Sequence, residues 1–204
     1  MLFDDTYKTI ENQGEGLFKD RSSRFISFAI PVTNEEEIKQ HLNLLRKKYH
    51  DARHHCYAYR LGFDKSVFRI NDDGEPSGTA GKPIFGQMLS FDVTNILIVV
   101  IRYFGGIKLG VSGLINAYKT AAFQAITSTK IITKTVNDIY DIRFDYISMN
   151  EVMKIIKEEN LELLAHNYES PCTIRFSVRK NDSLRVSDKL MKINNLIITF
   201  IKTA

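Results

Sequence analysis

The chain has 204 residues, with 28 Lys+Arg against 24 Asp+Glu for a formal net charge of +4; 44% of it is hydrophobic and 25% charged. That balance excludes a disordered chain, and the length predicts one or two domains of roughly 100–200 residues each. The longest apolar run, Ile96–Ile101, falls far short of the ~20 residues of a spanning helix, so no membrane partner is expected. The opening MLFDDTYKTI is acidic where a secretion leader is basic, and no apolar stretch follows, so the expected compartment is the cytoplasm. Cys56 and Cys172 form no CxxC pair and read as reduced thiols.

In chain order, residues 15–20 and 24–31 read as strands, the second alternating Ile26 and Phe28 with small or polar neighbours. Thr33 with Glu36 has capping-box spacing, and Ile38, Leu42, Leu45 and Tyr49 lie on one helical face. His55–Leu61 and Val67–Asn71 predict two strands joined through Gly62–Ser66. The run Asn71–Pro76 predicts a loop, after which Ser77 or Thr79 is positioned to cap a short helix ending near Ser90. Asn95–Tyr103 is apolar on both faces and reads as a central strand. A glycine-rich turn, FGGIKLGVSG, then leads to a helix over Gly113–Thr127, whose Ala117, Ala121 and Ala125 permit close packing on a sheet.

The polar, β-branched segment Thr127–Thr135 marks a domain boundary, giving domains of residues 1–132 and 133–204. The second reads β-α-β-β-α-β: strand Ile139–Tyr146, a helix after Ser148 with Glu151 at capping-box spacing, strands Leu161–Tyr168 and Cys172–Lys180, a helix near Ser183–Lys192, and strand Asn195–Ile201. This is the order of a ferredoxin-like split βαβ unit. The fold class is thus α+β in two domains.

Charge placement says more than net charge. The first domain carries 17 basic against 14 acidic residues, and residues 93–137 contain no carboxylate at all while holding Arg102, Lys108, Lys119, Lys130 and Lys134. Within that stretch Gly105, Gly106 and Gly110 expose backbone N–H groups just ahead of a helix N-terminus, with Lys108, Ser112 and Gly113 adjacent. Such a unit makes an anion cradle, although the Walker spacing is absent; a tight structural turn is the alternative. Arg60 and Arg69 are expected to extend the basic surface. Asp72, Asp73 and Glu75 place three carboxylates within four residues, a set that can hold Mg²⁺ or serve as an Asx-type turn. His54 and Cys56 share a strand face, and adjacent strands could bring His54 to the acidic loop.

These residues carry a resemblance. Ser23-Arg24-Phe25, Ala52-x-His54-x-Cys56-x-Ala58-Tyr59-Arg60, the run Asp72–Ile84, and Arg102-Tyr103-Phe104-Gly105-Gly106-Ile107-Lys108-Leu109-Gly110 followed by Gly113-Leu114 and Ala117-Tyr118 resemble the YigZ/IMPACT family. The resemblance implies an N-terminal domain of the type found in RNase PH, a ribosomal protein and domain IV of elongation factor G. It also implies a C-terminal ferredoxin-like domain similar to domain V of that factor. Asn71 stands where the family has Ser, and Val111-Ser112 replaces its small-residue pair. RNA or the ribosome is the implied partner, with an influence on translation; a translation-regulating protein is a further implied partner, and no catalytic residue is assigned. Two alternatives remain: a metal-assisted hydrolase or phosphoryl-transfer enzyme using His54 and the acidic loop, and a protein-interaction module.

Overall fold

The computed structural model describes residues 5–204; residues 1–4, on which part of the expectation about the opening segment rests, lie outside the described residues. The chain divides into two compact units, one of Tyr7–Lys134 and one of Thr135–Ala204 joined by Asp5 and Thr6.

The first unit runs β1 (Thr6–Ile10), β2 (Gly14–Asp20), β3 (Ser23–Pro31), α1 (Glu35–Lys48), β4 (His54–Leu61), β5 (Val67–Asn71), α2 (Gly81–Ser90), β6 (Ile96–Tyr103), α3 (Gly110–Thr127) and β7 (Ile131–Thr135). Strands β2-β3-β6-β4-β5 form one sheet in that order, every pair antiparallel. Strand β6 lies at its centre because both of its faces are covered. Ile96, Ile98 and Val100 pack with Ile84, Met88, Ala117 and Ala121 beneath α2 and α3. Leu97, Val99 and Ile101 pack with Ile38, Leu42 and Leu45 beneath α1. The two-residue period of a strand thus sends alternate residues into two cores, which is why the sequence shows an unbroken apolar run. On the α3 side a Cβ at Gly14 would meet the Ala125 carbonyl oxygen at 2.1 Å. The alanine stripe and this glycine let helix and strand approach as close as the sequence predicts.

Several local expectations shift. The N-cap of α1 is Asn34, which accepts from the Glu37 N–H at 2.9 Å, while the Glu37 carboxylate accepts from the Thr33 N–H at 2.7 Å; the box sits one residue later than Thr33/Glu36. Neither Ser77 nor Thr79 caps α2, which begins at Gly81 without a side-chain bond from its own N-cap, Ala80. Helix α3 begins at Gly110 rather than Gly113, so residues 110–113 are its first turn. The boundary segment near 128–136 contains β7, paired with β1 in a two-stranded sheet; the sequence pattern predicts neither of these short strands.

The second unit contains β8 (Asn137–Phe144), α4 (Met149–Glu158), β9 (Glu162–Asn167), β10 (Cys172–Arg179), α5 (Ser183–Leu190) and β11 (Ile197–Thr203). Its sheet has the order β11-β8-β10-β9, antiparallel throughout. Ile142, Phe144, Ile174 and Phe176 meet Val152, Ile156, Val186 and Leu190 of the two helices in its core. The Ser148 capping box does not form, because a 3₁₀ turn over Tyr146–Ser148 leads into α4 and leaves the Ser148 side chain without a cap bond. Arg179 clamps Asp5 through two bonds of 2.7 and 2.8 Å. Among the described residues no helix is long and apolar enough to cross a membrane.

Candidate functional site

At one end of the larger sheet three chain segments converge: the start of β4, the turn after β5, and the start of α3. Register places His54 of β4 directly beside Arg102 of β6. The turn Asp72–Glu75 closes through the Glu75 N–H to the Asp72 carbonyl at 2.9 Å, with Asp73 and Gly74 both at positive φ, 42° and 85°. That pair of conformations defines a type I′ turn and accounts for the glycine. Between these segments lies a cavity of about 430 Å³ whose polar walls are Arg53, His54, Glu75, Arg102 and Lys108. Phe104, Leu109, Val111 and Leu114 supply its apolar side.

Glu75 is the organising group. Its side chain is 4% exposed and its Oε1 accepts from Arg102 Nη1 at 2.6 Å and from the Tyr118 hydroxyl at 2.8 Å. Arg102, expected on an open anion surface, is instead 5% exposed. Its charge is neutralised locally by Glu75, and Nη2 donates to Ser23 Oγ at 3.4 Å. Only its Nε–H is buried without an acceptor. A buried pair of this kind tolerates loss of one partner poorly, since the survivor is left desolvated.

The other two carboxylates point to other partners. Asp72 accepts from the N–H groups of Gly78, Ala80 and Gly81 at 2.8, 3.0 and 2.8 Å, so it caps α2 from nine residues upstream. Burial works to raise its carboxyl, but the three N–H donors outweigh that and hold it below the usual carboxylate range. Asp73 Oδ2 accepts from the His55 N–H at 2.6 Å. Among the described residues no three His, Cys, Asp or Glu side chains are grouped to hold a metal ion. The acidic loop is an Asx-rich turn that also caps a helix.

His54 Nδ1 lies 2.8 Å from the Asp73 carbonyl oxygen. A carbonyl only accepts, so Nδ1 carries the proton and, in the neutral ring, Nε2 presents a lone pair; Nε2 stands 4.0 Å from Glu75 Oε1. The Cys56 thiol donates to the Asp72 carbonyl at 3.0 Å and lies 3.3 Å from the Tyr118 hydroxyl. Burial pushes both the Cys56 thiol and the Tyr118 phenol up. Cys56 is therefore a packed thiol rather than a nucleophile.

The anion-binding features separate into those that meet at the cavity and those that do not. Lys108 and Arg53 are exposed, both line the cavity, and neither has an ion-pair partner among the described residues. Helix α3 is 18 residues long and its N-cap, Leu109, offers no side-chain acceptor, so the first N–H groups and the positive dipole end are open at Gly110. Gly106 and Gly110 have positive φ and no atom within 4 Å of a notional Cβ, leaving their backbone approachable. Gly105 serves packing instead. A Cβ there would meet the Ser22 backbone at 2.1 Å, so the missing side chain lets the turn close onto the β2–β3 hairpin. Gly113 and Ser112 lie on the first turn of α3, and Ser112 is exposed outside the cavity walls.

Arg60 and Arg69 are at the far end of the sheet. Arg60 pairs in register with Ile96 at the start of β6, whereas His54 pairs with Arg102 near its end, and Arg69 pairs with Tyr59. Arg60 also lies 3.8 Å from Asp92. Neither extends the cradle. The site residues to which the sequence alone gives no role of their own are Phe104 and Tyr118, while Arg53 counts there only as one member of the basic stretch Arg46–Arg69. A tyrosine four residues after Leu114, on the same face as the alanine stripe, is the signal for a hydroxyl facing the sheet. A larger concavity, about 620 Å³, lies on the open face of the second unit's sheet. Its Arg175 is held by Asp141 at 2.7 and 2.8 Å, so that charge is locally balanced.

Residues 21–126 match the family model of the Impact N-terminal domain. Over 93% of its length the chain is 29% identical to IMPACT family member YvyE of Bacillus subtilis, covering 88% of that protein. It is 31% identical to IMPACT family member YigZ of Escherichia coli over 83% of this chain and 84% of that one. A solved structure described as that of a hypothetical protein superposes with a TM-score of 0.73 at 28% identity, covering 97% of this chain and 98% of the other. The matched segment takes in β3 to α3 and every wall of the cavity, and with these relatives it places the chain in the IMPACT family.

Proposed function

We propose that the protein binds RNA, free or within the ribosome, through the N-terminal end of α3, and that this binding influences translation. The observation that carries the reading is the meeting of Lys108, Arg53 and the uncapped helix start at one cavity, inside a 45-residue stretch, residues 93–137, that has no carboxylate to repel a phosphate. The β-α-β-β-α-β order of the second unit supports a ferredoxin-like assignment. The family resemblance supports likening the two units to domains IV and V of elongation factor G, which is an analogy of fold. A metal-assisted hydrolase gains no support from the acidic loop, because Asp72, Asp73 and Glu75 each serve a different partner. Pull-down of the tagged protein at low salt, with sequencing of bound RNA, tests the proposal: enriched RNA that is lost in Lys108→Glu supports it, and equal recovery of RNA by both proteins refutes it.

A further inference from the structure

We infer that the cavity at the start of α3 holds a single nucleotide bearing a phosphomonoester, with the phosphate at the helix N-terminus and the base against Phe104 and Val111. This rests on the RNA reading and narrows it from a strand of phosphates to one terminal group.

Four observations lead there. Two free cations, Lys108 and Arg53, share the cavity, whereas Arg60 and Arg69 are at the opposite end of the sheet. A surface that tracks a backbone needs a line of cations; Lys19 and Arg24 border Phe104 in a neighbouring concavity, and the cavity itself holds two free cations. Next, Arg102 lines the same cavity, is 5% exposed, and keeps a buried Nε–H without an acceptor. An orphan donor of that kind is rare; it is sealed from solvent beside the Phe104 ring, whose centroid is 5.4 Å from the guanidinium carbon, so a ligand oxygen supplies its missing partner only once that ring moves to stack on the base. The orphan donor stands independently of the helix terminus and points to the same ligand chemistry.

The cavity also has a dry side. Phe104 is 40% and Val111 61% exposed, and both line it; an open ring beside an anion site is a stacking platform for a base. Finally, size and charge agree. About 430 Å³ lies within the ~300–1,000 Å³ of small-ligand pockets. A phosphomonoester carries about −1.5 to −2 at neutral pH, matching two unpaired cations. Glu75 is the one carboxylate on the cavity wall, and its ion pair with Arg102 at 2.6 Å offsets its repulsion.

The same chemistry belongs to a free nucleoside 5′-monophosphate and to the 5′-phosphate end of an RNA. Calorimetric titration of the full chain with uridine 5′-monophosphate, uridine and inorganic phosphate tests the pocket, and RNA decamers ending in 5′-phosphate or 5′-hydroxyl distinguish the sources. The nucleotide should bind about tenfold tighter than inorganic phosphate, the scale of one stacked base. Phe104→Ala should erase that advantage while leaving phosphate binding unchanged. Lys108→Ala should weaken the nucleotide about fivefold, the scale of an exposed charge pair. If the 5′-phosphorylated decamer binds more tightly than the mononucleotide, the source is an RNA end; equal affinity assigns a free nucleotide. Equal affinity of both decamers with no mononucleotide binding would overturn the pocket while leaving RNA binding intact. Failure of every RNA to bind, with the mononucleotide still bound, would instead remove the broader reading.

Discussion

Replacing Asp72 by Ala removes the acceptor for three N–H groups at once, those of Gly78, Ala80 and Gly81. Ala80 and Gly81 are buried, so water cannot take over there, whereas Gly78 is only partly covered. A buried donor left without a partner costs about 1–3 kcal/mol, and loss of an N-cap alone costs about 0.5–2 kcal/mol. Two buried orphans and one partly rehydrated donor put the loss near 3 kcal/mol, or roughly 6–12 °C in melting temperature for a chain of this size. The pH dependence has a definite sign. The folded carboxyl is held below its ordinary value, so the unfolded chain binds more protons in the window between the two. The stabilisation is present above the unfolded pKa of about 3.9 and is lost as pH falls through the folded value. Thermal melts of wild type and Asp72→Ala should therefore differ by a constant gap from about pH 7 to 5 and converge below about pH 4. Saturating Mg²⁺ should leave the gap unchanged, since the carboxylate acts on backbone N–H groups rather than on a metal. A variant that melts within about 2 °C of wild type at neutral pH would refute this account of the acidic loop.

Glu75→Gln should lose about 3–5 kcal/mol in urea unfolding because Arg102 is left charged and buried, and the double change Glu75→Leu with Arg102→Met should recover much of it; a single variant as stable as the double would contradict the ion-pair reading. Cys56 and Cys172 are both fully buried and should react with iodoacetamide only after denaturant is added, as followed by intact mass. The His55 imidazole is pushed down, first by burial and against the pull of Asp73. The unfolded chain therefore takes up a proton more readily, and stability should decline as pH falls below about 6.5. In His55→Gln that part of the melting-temperature profile should flatten, and an unchanged profile would assign the decline to other groups.

Much of the first unit is legible in the sequence because its strands obey simple periods. Ile96–Ile101 announces a strand covered on both sides, and the pattern places Val67–Asn71 to the residue. The features that the sequence hides share a cause: each depends on a partner far along the chain. Strands β1 and β7 are short, and each exists only because the other pairs with it. The cap of α2 comes from Asp72, which no local rule about Ser77 or Thr79 reveals. Arg102 reads as an anion ligand because its neighbours in sequence are glycines and Lys108; its neighbour in space is Glu75, twenty-seven residues away. Strand register likewise sends Arg60 and Arg69 to the other end of the sheet, a separation invisible to a count of charges. The glycine loop itself is legible, and only its division between Gly105 as packing and Gly106 and Gly110 as open backbone needs coordinates.

The central claim is that the start of α3 takes phosphate with the help of Lys108. The most direct measurement is the salt dependence of RNA binding by wild type and Lys108→Ala, with thermal melts to show that both are folded. Loss of one phosphate contact should flatten the log–log slope by about 0.7 for single-stranded RNA and lower affinity at low salt. Lys108→Arg should restore both. Identical slopes and affinities for wild type and Lys108→Ala would contradict the claim.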